Sequence, residues 1–237
     1  MAVIEFCHLM ARDRFRPAPA FAVALLWVLL LDAQLPRMGL RWTIGGPGVS
    51  LVLMGSLTWQ LAHREGAPVV NWSLSMAGPL YIGWLGAHII RLRHLQEGTW
   101  WVLTALPAIW IADSGAYFIG RAWGRHKLAP TLSPGKTWEG YIGGIAVGAL
   151  VTAGLAALWS LQAGPAGPHP MEGLALGALV GTLAPLGDLI VSMIKRQAGV
   201  KDTGVIFPGH GGALDRVDSL LWAAAIGYYF VLWLHGV

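Results

Sequence analysis

Residues 174–194 read LALGALVGTLAPLGDLIVSMI, 21 residues with one charged side chain, Asp188. A helix of about 20 apolar residues matches the thickness of a bilayer's hydrocarbon core. Six other apolar runs lie at 18–35, 47–62, 72–90, 100–120, 141–161 and 217–234. The spacing therefore predicts an all-α, polytopic integral membrane helical bundle with about seven transmembrane helices. Composition agrees: 55% of the 237 residues are hydrophobic and only 12% are charged, against about 25% charged in a soluble domain. Mean hydropathy is +0.58. The 13 Trp, 32 Gly and 14 Pro fit the same class, since Trp favours membrane interfaces and Gly and Pro are tolerated in spans. A disordered chain would have the reverse composition. A disulfide scaffold is excluded, because Cys7 is the sole cysteine.

The first apolar run reads as a retained span and not a cleaved signal peptide. Asp13 stands in its leading segment and no small-x-small site follows Asp32. The net charge is +4 and the pI about 9.5. No basic stripe with interleaved aromatics accompanies it, so nucleic acid is not an expected partner. Lys and Arg flank spans instead and meet anionic membrane lipids. Twelve of the 16 Lys and Arg fall on alternate inter-span segments counted from the N-terminus. The positive-inside rule places that side in the cytoplasm, together with two basic loops at 120–140 and 195–216. The uncharged segment QAGPAGPHP, 162–170, falls outside. A cell (cytoplasmic) membrane location with the polar loops facing the cytoplasm is the expectation. No loop is long enough for a separate soluble domain, so a site must be built from loops and span ends.

The acids narrow the chemistry. Asp113 and Asp188 interrupt apolar runs, where an ionised carboxylate costs several kcal/mol unless paired or metal-bound. The bland reading is a frayed helix end or a packing ion pair. Asp188, Ser192 and Lys195 follow at i, i+4 and i+7, and Asp215 and Asp218 at i, i+3, so each set shares a helix face. Carboxylates with nearby cations are the parts needed for Mg²⁺ and phosphate together, because Mg²⁺ takes one or two protein carboxylates and leaves its other positions to water and phosphate oxygens.

The first loop, GRAWGRHKLAPTLSPGKTWEG, contains Gly135-Lys136-Thr137. It is not a P-loop: Pro130 occupies the place of the first glycine and no strand is expected before it. Ser133, Lys136 and Thr137 still offer hydroxyl, ammonium and backbone donors to phosphate; a plain topology-fixing basic loop is the alternative. Glu139 reads either as a ligand of a second cation or as an anchor for a helix starting near Tyr141. The second loop gathers Lys195, Arg196, Lys201, Asp202, His210 and Arg216, with Gly209, Gly211 and Gly212 around the histidine. Those glycines would let backbone approach a ligand closely.

The run Ser192-x-Ile194-Lys195-Arg196-x4-Lys201-Asp202-x-Gly204-x2-Phe207-Pro208-x-His210-Gly211-Gly212-x2-Asp215-Arg216-x-Asp218 resembles the signature of the phosphatidate cytidylyltransferases (CDP-diacylglycerol synthases). Ser133-Pro134-x-Lys136-Thr137-x-Glu139-Gly140 and Asp113-x-x-Ala116-Tyr117 are similar to that family's other recurring segments. The match runs from about Trp110 to the C-terminus. Ala213 departs from the larger aliphatic residue usual there. The N-terminal region is shorter than the family's, and Glu5-Phe6 resembles the middle of it. The resemblance implies transfer of a cytidylyl group from CTP to phosphatidic acid, with Mg²⁺ and a second cation such as K⁺. It implies Asp188 and Asp215 as metal ligands, and Asp188, Asp215, Asp218, Lys195 and Lys201 as catalytic groups. It further implies Asp113, Ser133, Lys136, Thr137, Arg196, His210, Gly211, Gly212 and Arg216 as substrate-binding groups, and a homodimer. On this reading, 1–99 are N-terminal membrane helices and 100–237 a catalytic membrane region.

Two alternatives use the same residues. A CTP-dependent lipid-alcohol kinase would share the nucleotide and metal needs but transfer the γ-phosphoryl group. An ion-coupled transporter would use Asp113 and Asp188 but leaves the glycine-histidine loop unexplained. The spacing of a CDP-alcohol phosphatidyltransferase is absent, since Asp215 and Asp218 are only three apart.

Overall fold

The computed structural model describes residues 1–12, 15–35, 43–64, 66–165, 167–206 and 211–236. His210, with Phe207 and Pro208 of the second loop, lies outside the described residues, as do Arg14, Arg37 and Arg41 of the charge count. The described chain is helical apart from one small hairpin. Its elements are α1 (Ala2–Arg12), α2 (Pro19–Gln34), α3 (Gly45–Ala62), α4 (Pro68–Pro79), a π-helical turn (Leu80–Trp84), α5 (Leu85–His94), α6 (Gly98–Trp123), β1 (Lys127–Ala129), β2 (Ser133–Thr137), α7 (Trp138–Ser160), α8 (Pro170–Leu183), α9 (Pro185–Gln197) and α10 (Leu214–His235).

All seven apolar runs fall on helices. Among the described residues, four helical stretches are long and apolar enough to cross a membrane: Gly98–Trp123, Trp138–Ser160, Pro170–Gln197 and Leu214–His235; Pro19–Gln34 is apolar but shorter. Large apolar side chains face outward along these helices, among them Trp110, Phe118, Ile142, Leu150 and Trp233. A surface of this kind is suited to lipid and not to water. The chain is a multi-pass membrane protein.

Two compact units organise the chain. One comprises Met1–Ile90 and Ile194–Val217, the other Arg91–Met193 and Asp218–Val237. In the first, Leu25 and Leu29 of α2 pack on Met76 of α4, with Phe21, Val49, Val52 and Trp72 around them. Polar side chains tie the helices where water is scarce: Trp72 Nε1 donates to Ser56 Oγ at 3.0 Å, and the backbone N–H of Ala18 to Ser75 Oγ at 2.7 Å. Pro79 removes one ladder donor, and the π-helical turn follows directly. Helix α1 buries Val3, Phe6, Cys7, Leu9 and Met10, and also Glu5.

In the second unit, the fully buried Trp101 packs with Ala105, Ala108 and Ile109 of α6, Leu176 and Val180 of α8, and Ala223 and Phe230 of α10. Helices α6 and α7 approach through small residues, as membrane helices do. A Cβ at Gly144 would lie 2.7 Å from the Ala112 carbonyl oxygen. The apolar run 174–194 is not one straight helix. Pro185 cannot donate to the carbonyl four residues back, so the helix breaks at Ala184 between α8 and α9. Gly187 then lets α9 meet α10, where a Cβ would stand 2.6 Å from the Asp218 carbonyl oxygen.

No strand was expected ahead of Gly135, yet the first polar loop forms a two-stranded hairpin. Its strands pair antiparallel, Lys127 with Thr137 and Ala129 with Ser133, around a register irregularity. Gly135, Lys136 and Thr137 lie inside β2, and Pro134 is tolerated there because both strands of a two-stranded ribbon are edges. Helix α7 starts at Trp138, earlier than the expected Tyr141, because Thr137 Oγ1 accepts from the Gly140 N–H at 3.2 Å and so caps the helix.

Candidate active site

Within the second unit, α6, the hairpin, α7 and the Pro185 break enclose a cavity of about 550 Å³. Its polar lining comes from Asp113 and Arg121 of α6, Ser133, Lys136 and Thr137 of β2, Tyr141 of α7 and Asp188 of α9. Five of these were singled out from the sequence; Arg121 and Tyr141 were not. Tyr141 gave no signal because its partner is remote: its hydroxyl donates to the Thr182 carbonyl at 2.6 Å, beside the helix break. Arg121 looked like an ordinary basic residue at a span end.

Lys136 is the central cation. Its Nζ lies 2.7 Å from Asp188 Oδ2 and 3.4 Å from the Pro185 carbonyl oxygen. Both side chains of the ion pair keep about a quarter to a third of their surface open, 25% and 31%, so the pair borders the cavity and is reachable. Asp188 Oδ1 receives only a long contact, 3.4 Å, from Ser192 Oγ one helical turn on, which leaves it acceptor capacity. Thr137 uses its hydroxyl oxygen as acceptor for the α7 cap, so its hydroxyl hydrogen remains a donor. Glu139 lies in the first turn of α7, where a negative charge is favoured. Its carboxylate accepts from the Arg125 N–H at 3.1 Å and from His126 Nδ1 at 2.6 Å, clamping the segment that enters the hairpin.

The lining carries two aspartates against a lysine and an arginine, close to neutral in sum. A nucleoside triphosphate entering it would need further positive charge. Two carboxylates in one cavity, one with an open lone pair, suit a hard divalent ion carried in with phosphate. Among the described residues no cluster of three or more His, Cys, Asp or Glu is placed to hold a metal ion.

The second loop's residues belong to the first unit, apart from Asp218. Lys195 Nζ donates to Asp215 Oδ1 at 2.7 Å, with side-chain exposures of 12% and 7%. Asp215 Oδ2 accepts from the Thr203 N–H at 2.8 Å, Thr203 Oγ1 at 2.9 Å and the Gly212 N–H at 2.9 Å. Gly211 takes φ +81°, a left-handed turn, and a Cβ there would stand 2.7 Å from Asp215 Oδ2. That backbone conformation favours glycine, and Gly212 beside it donates its N–H to Asp215. Arg196, Lys201 and Arg216 are exposed, and Arg196 donates to the Val200 carbonyl at 3.2 Å. Asp218, in the second unit, is buried and accepts from the N–H and hydroxyl of Ser219 at 2.6 and 3.0 Å.

One buried acid had not been singled out. Glu5 accepts from the Ala213 N–H and the Leu214 N–H, both at 2.8 Å, and its Oε2 stands 3.0 Å from Thr203 Oγ1, whose one hydrogen it shares with Asp215. Its partners are about two hundred residues away, and no local pattern marks that role.

The profile of the cytidylyltransferase family matches residues 1–234, more than the C-terminal half on which the sequence resemblance rested. A phosphatidate cytidylyltransferase of Synechocystis sp. is 38% identical over 261 aligned positions, covering 97% of this chain and 84% of that protein. Proteins of the same name from Haemophilus influenzae and Bacillus subtilis are 44% and 42% identical over 60% and 64% of this chain. This chain spans 50% and 55% of those two proteins. A match over nearly the whole length, with the hairpin lysine set against an intramembrane aspartate, places the chain in the cytidylyltransferase family.

Proposed function

We propose that the protein transfers the cytidylyl group of CTP to phosphatidic acid, giving CDP-diacylglycerol and pyrophosphate. One observation carries the reading: in a chain of the cytidylyltransferase family, Lys136, Ser133 and Thr137 of the hairpin line one cavity with Asp113 and Asp188 of the membrane helices. The names of the relatives supply the lipid substrate. In the proposed step an oxygen of the lipid phosphate attacks the α-phosphorus of CTP. The bond to the α–β bridging oxygen breaks, and its electron pair leaves with pyrophosphate. The attacking phosphate is already ionised, so the protein needs no strong general base. Its task is alignment and charge neutralisation.

Lys136 is suited to hold phosphate oxygens while Asp188 holds Lys136 in place. Ser133 and Thr137 supply hydroxyl donors. Asp188 and Asp215 are the proposed Mg²⁺ ligands, with K⁺ as a second cation; the open lone pair of Asp188 supports its part. Bound Mg²⁺ would neutralise phosphate charge and polarise the α-phosphorus. Lys195 and Lys201 are proposed as phosphate-neutralising cations, with Arg196 and Arg216 beside them, His210 as a substrate contact and Asp218 as a supporting carboxylate. The proposed orientation puts the hairpin on the cytoplasmic side, where CTP is found, on the strength of the Lys and Arg distribution. A homodimer is part of the same proposal.

The test is a purified-protein assay with phosphatidic acid, CTP and Mg²⁺. The expected result is stoichiometric CDP-diacylglycerol and pyrophosphate, abolished by excess EDTA. Release of CDP with a newly phosphorylated lipid would favour the kinase reading instead.

A further inference from the structure

The residue that joins the N-terminal helix to the second loop is Glu5. Only 6% of it is exposed, on the buried side of α1 beside Phe6 and Leu9. A buried carboxylate is costly unless hydrogen bonds replace its water. Glu5 has two donors of its own, the N–H groups of Ala213 and Leu214 at the start of α10, and shares the single hydroxyl hydrogen of Thr203 with Asp215. Those amides have no intrahelical partner and sit at the positive end of the helix dipole. Glu5 is thus an N-terminal cap supplied by a different helix.

The cap lies one link from Asp215. Thr203 Oγ1 is 3.0 Å from Glu5 Oε2 and 2.9 Å from Asp215 Oδ2, and the Thr203 N–H also donates to Asp215 Oδ2. The packing leaves no slack: a Cβ on Gly212 would collide with both Thr203 Oγ1 and the Glu5 carboxylate. Gly204 is equally confined, its Cβ position 2.8 Å from Glu5 Oε1. One carboxylate therefore fixes both ends of the segment that turns the chain into α10 and sets the register of Asp215 against Lys195.

We infer that Glu5 is a positioning residue for the reaction, holding Asp215 and Lys195 in working geometry through Thr203 and the 212–214 turn; this rests on the function proposed above. The N-terminal helix is then part of the catalytic apparatus and not only a membrane element. Glutamine cannot replace it faithfully. Both Glu5 oxygens accept backbone N–H bonds, so an amide NH₂ would face a donor on one side.

The experiment compares the full-length wild type with Glu5→Gln, Glu5→Ala, Thr203→Val, Thr203→Ser and the Glu5→Gln/Thr203→Val pair. Rates are normalised to folded, monodisperse protein. Displacing a reacting group by about 1 Å can cost ~10²-fold, so kcat is expected to fall ten- to a hundredfold in both Glu5 variants and in Thr203→Val. The KM for CTP should stay within about threefold and the half-saturating Mg²⁺ concentration should rise. Thr203→Ser, which keeps the hydroxyl, should retain most activity. The double variant should be little worse than either single one, because the residues act through one network. Hydrogen exchange at the Ala213 and Leu214 amides should quicken in the Glu5 variants. Folded Glu5 variants with kcat within twofold of wild type and unchanged Mg²⁺ dependence would overturn the inference. So would multiplicative losses in the pair. If the Glu5 variants do not fold, full activity in Thr203→Val would overturn it by itself. The exchange measurement does not depend on the reaction, so an inactive wild type would defeat the functional proposal while the capping role was still decided.

Discussion

Lys136 Nζ stands 2.7 Å from Asp188 Oδ2, so a residue of the only hairpin among the described residues is joined to an aspartate just past a proline break in a membrane helix. The two are 52 positions apart in sequence. The contact brings the hairpin's ammonium to the one carboxylate that interrupts the apolar stretch 174–194.

Breaking that contact from either side should be informative. Asp188→Asn keeps the size of the side chain and removes its charge. Turnover should fall about 10²–10³-fold, the usual cost of one electrostatic stabiliser, with folding retained because the group borders an open cavity. Steady-state rates alongside size-exclusion profiles check this. Lys136→Ala should lose activity strongly and Lys136→Arg should recover only part, since a planar guanidinium does not replace a compact ammonium.

Asp215 should behave differently. It is nearly buried with Lys195 and holds three further donors. Asp215→Asn strands a buried ammonium, and breaking such a pair typically costs about 3–5 kcal/mol. The variant should therefore lose both activity and stability, seen as a lowered unfolding temperature in detergent, whereas Asp188→Asn should lose activity alone.

Thr137→Ala tests the hairpin-to-helix joint. Losing the cap on Gly140 N–H should cost about 1 kcal/mol. It should also loosen the strand that presents Lys136, so the KM for CTP should rise. Thr137→Ser should restore both.

Much of this was legible in the sequence. The apolar runs are long enough to stand out, Asp113 and Asp188 are conspicuous because charge is rare around them, and Lys136 stands out through the Gly135-Lys136-Thr137 triplet of a basic loop. The hairpin was not legible, because strands of three and five residues are too short for alternation to show and Pro134 argues against a strand. Nor was the break at Ala184 given its due, although Pro185 is its cause. Glu5 stood out only through the likeness of Glu5-Phe6 to the family's N-terminal region; its hydrogen-bonding role was not legible, because the amides it meets lie about two hundred residues away.

Cys7 gives a test of the burial of α1. Desolvation pushes its thiol up from an ordinary 9.0 to about 11. The folded state favours the protonated form, so the associated stability is present below pH 9 and is lost as pH rises toward 11. Alkylation by a maleimide at pH 7.5 should be slow in the native protein and fast after unfolding. Equal rates in both states would show α1 detached from its packing.

The most direct measurement of the central claim follows two labels. Purified protein is given phosphatidic acid and Mg²⁺ with CTP labelled either at the α- or at the γ-phosphate. Cytidylyl transfer predicts that the α-label enters the lipid fraction and the γ-label leaves as pyrophosphate. Entry of the γ-label into lipid, with the α-label left in CDP, would contradict it.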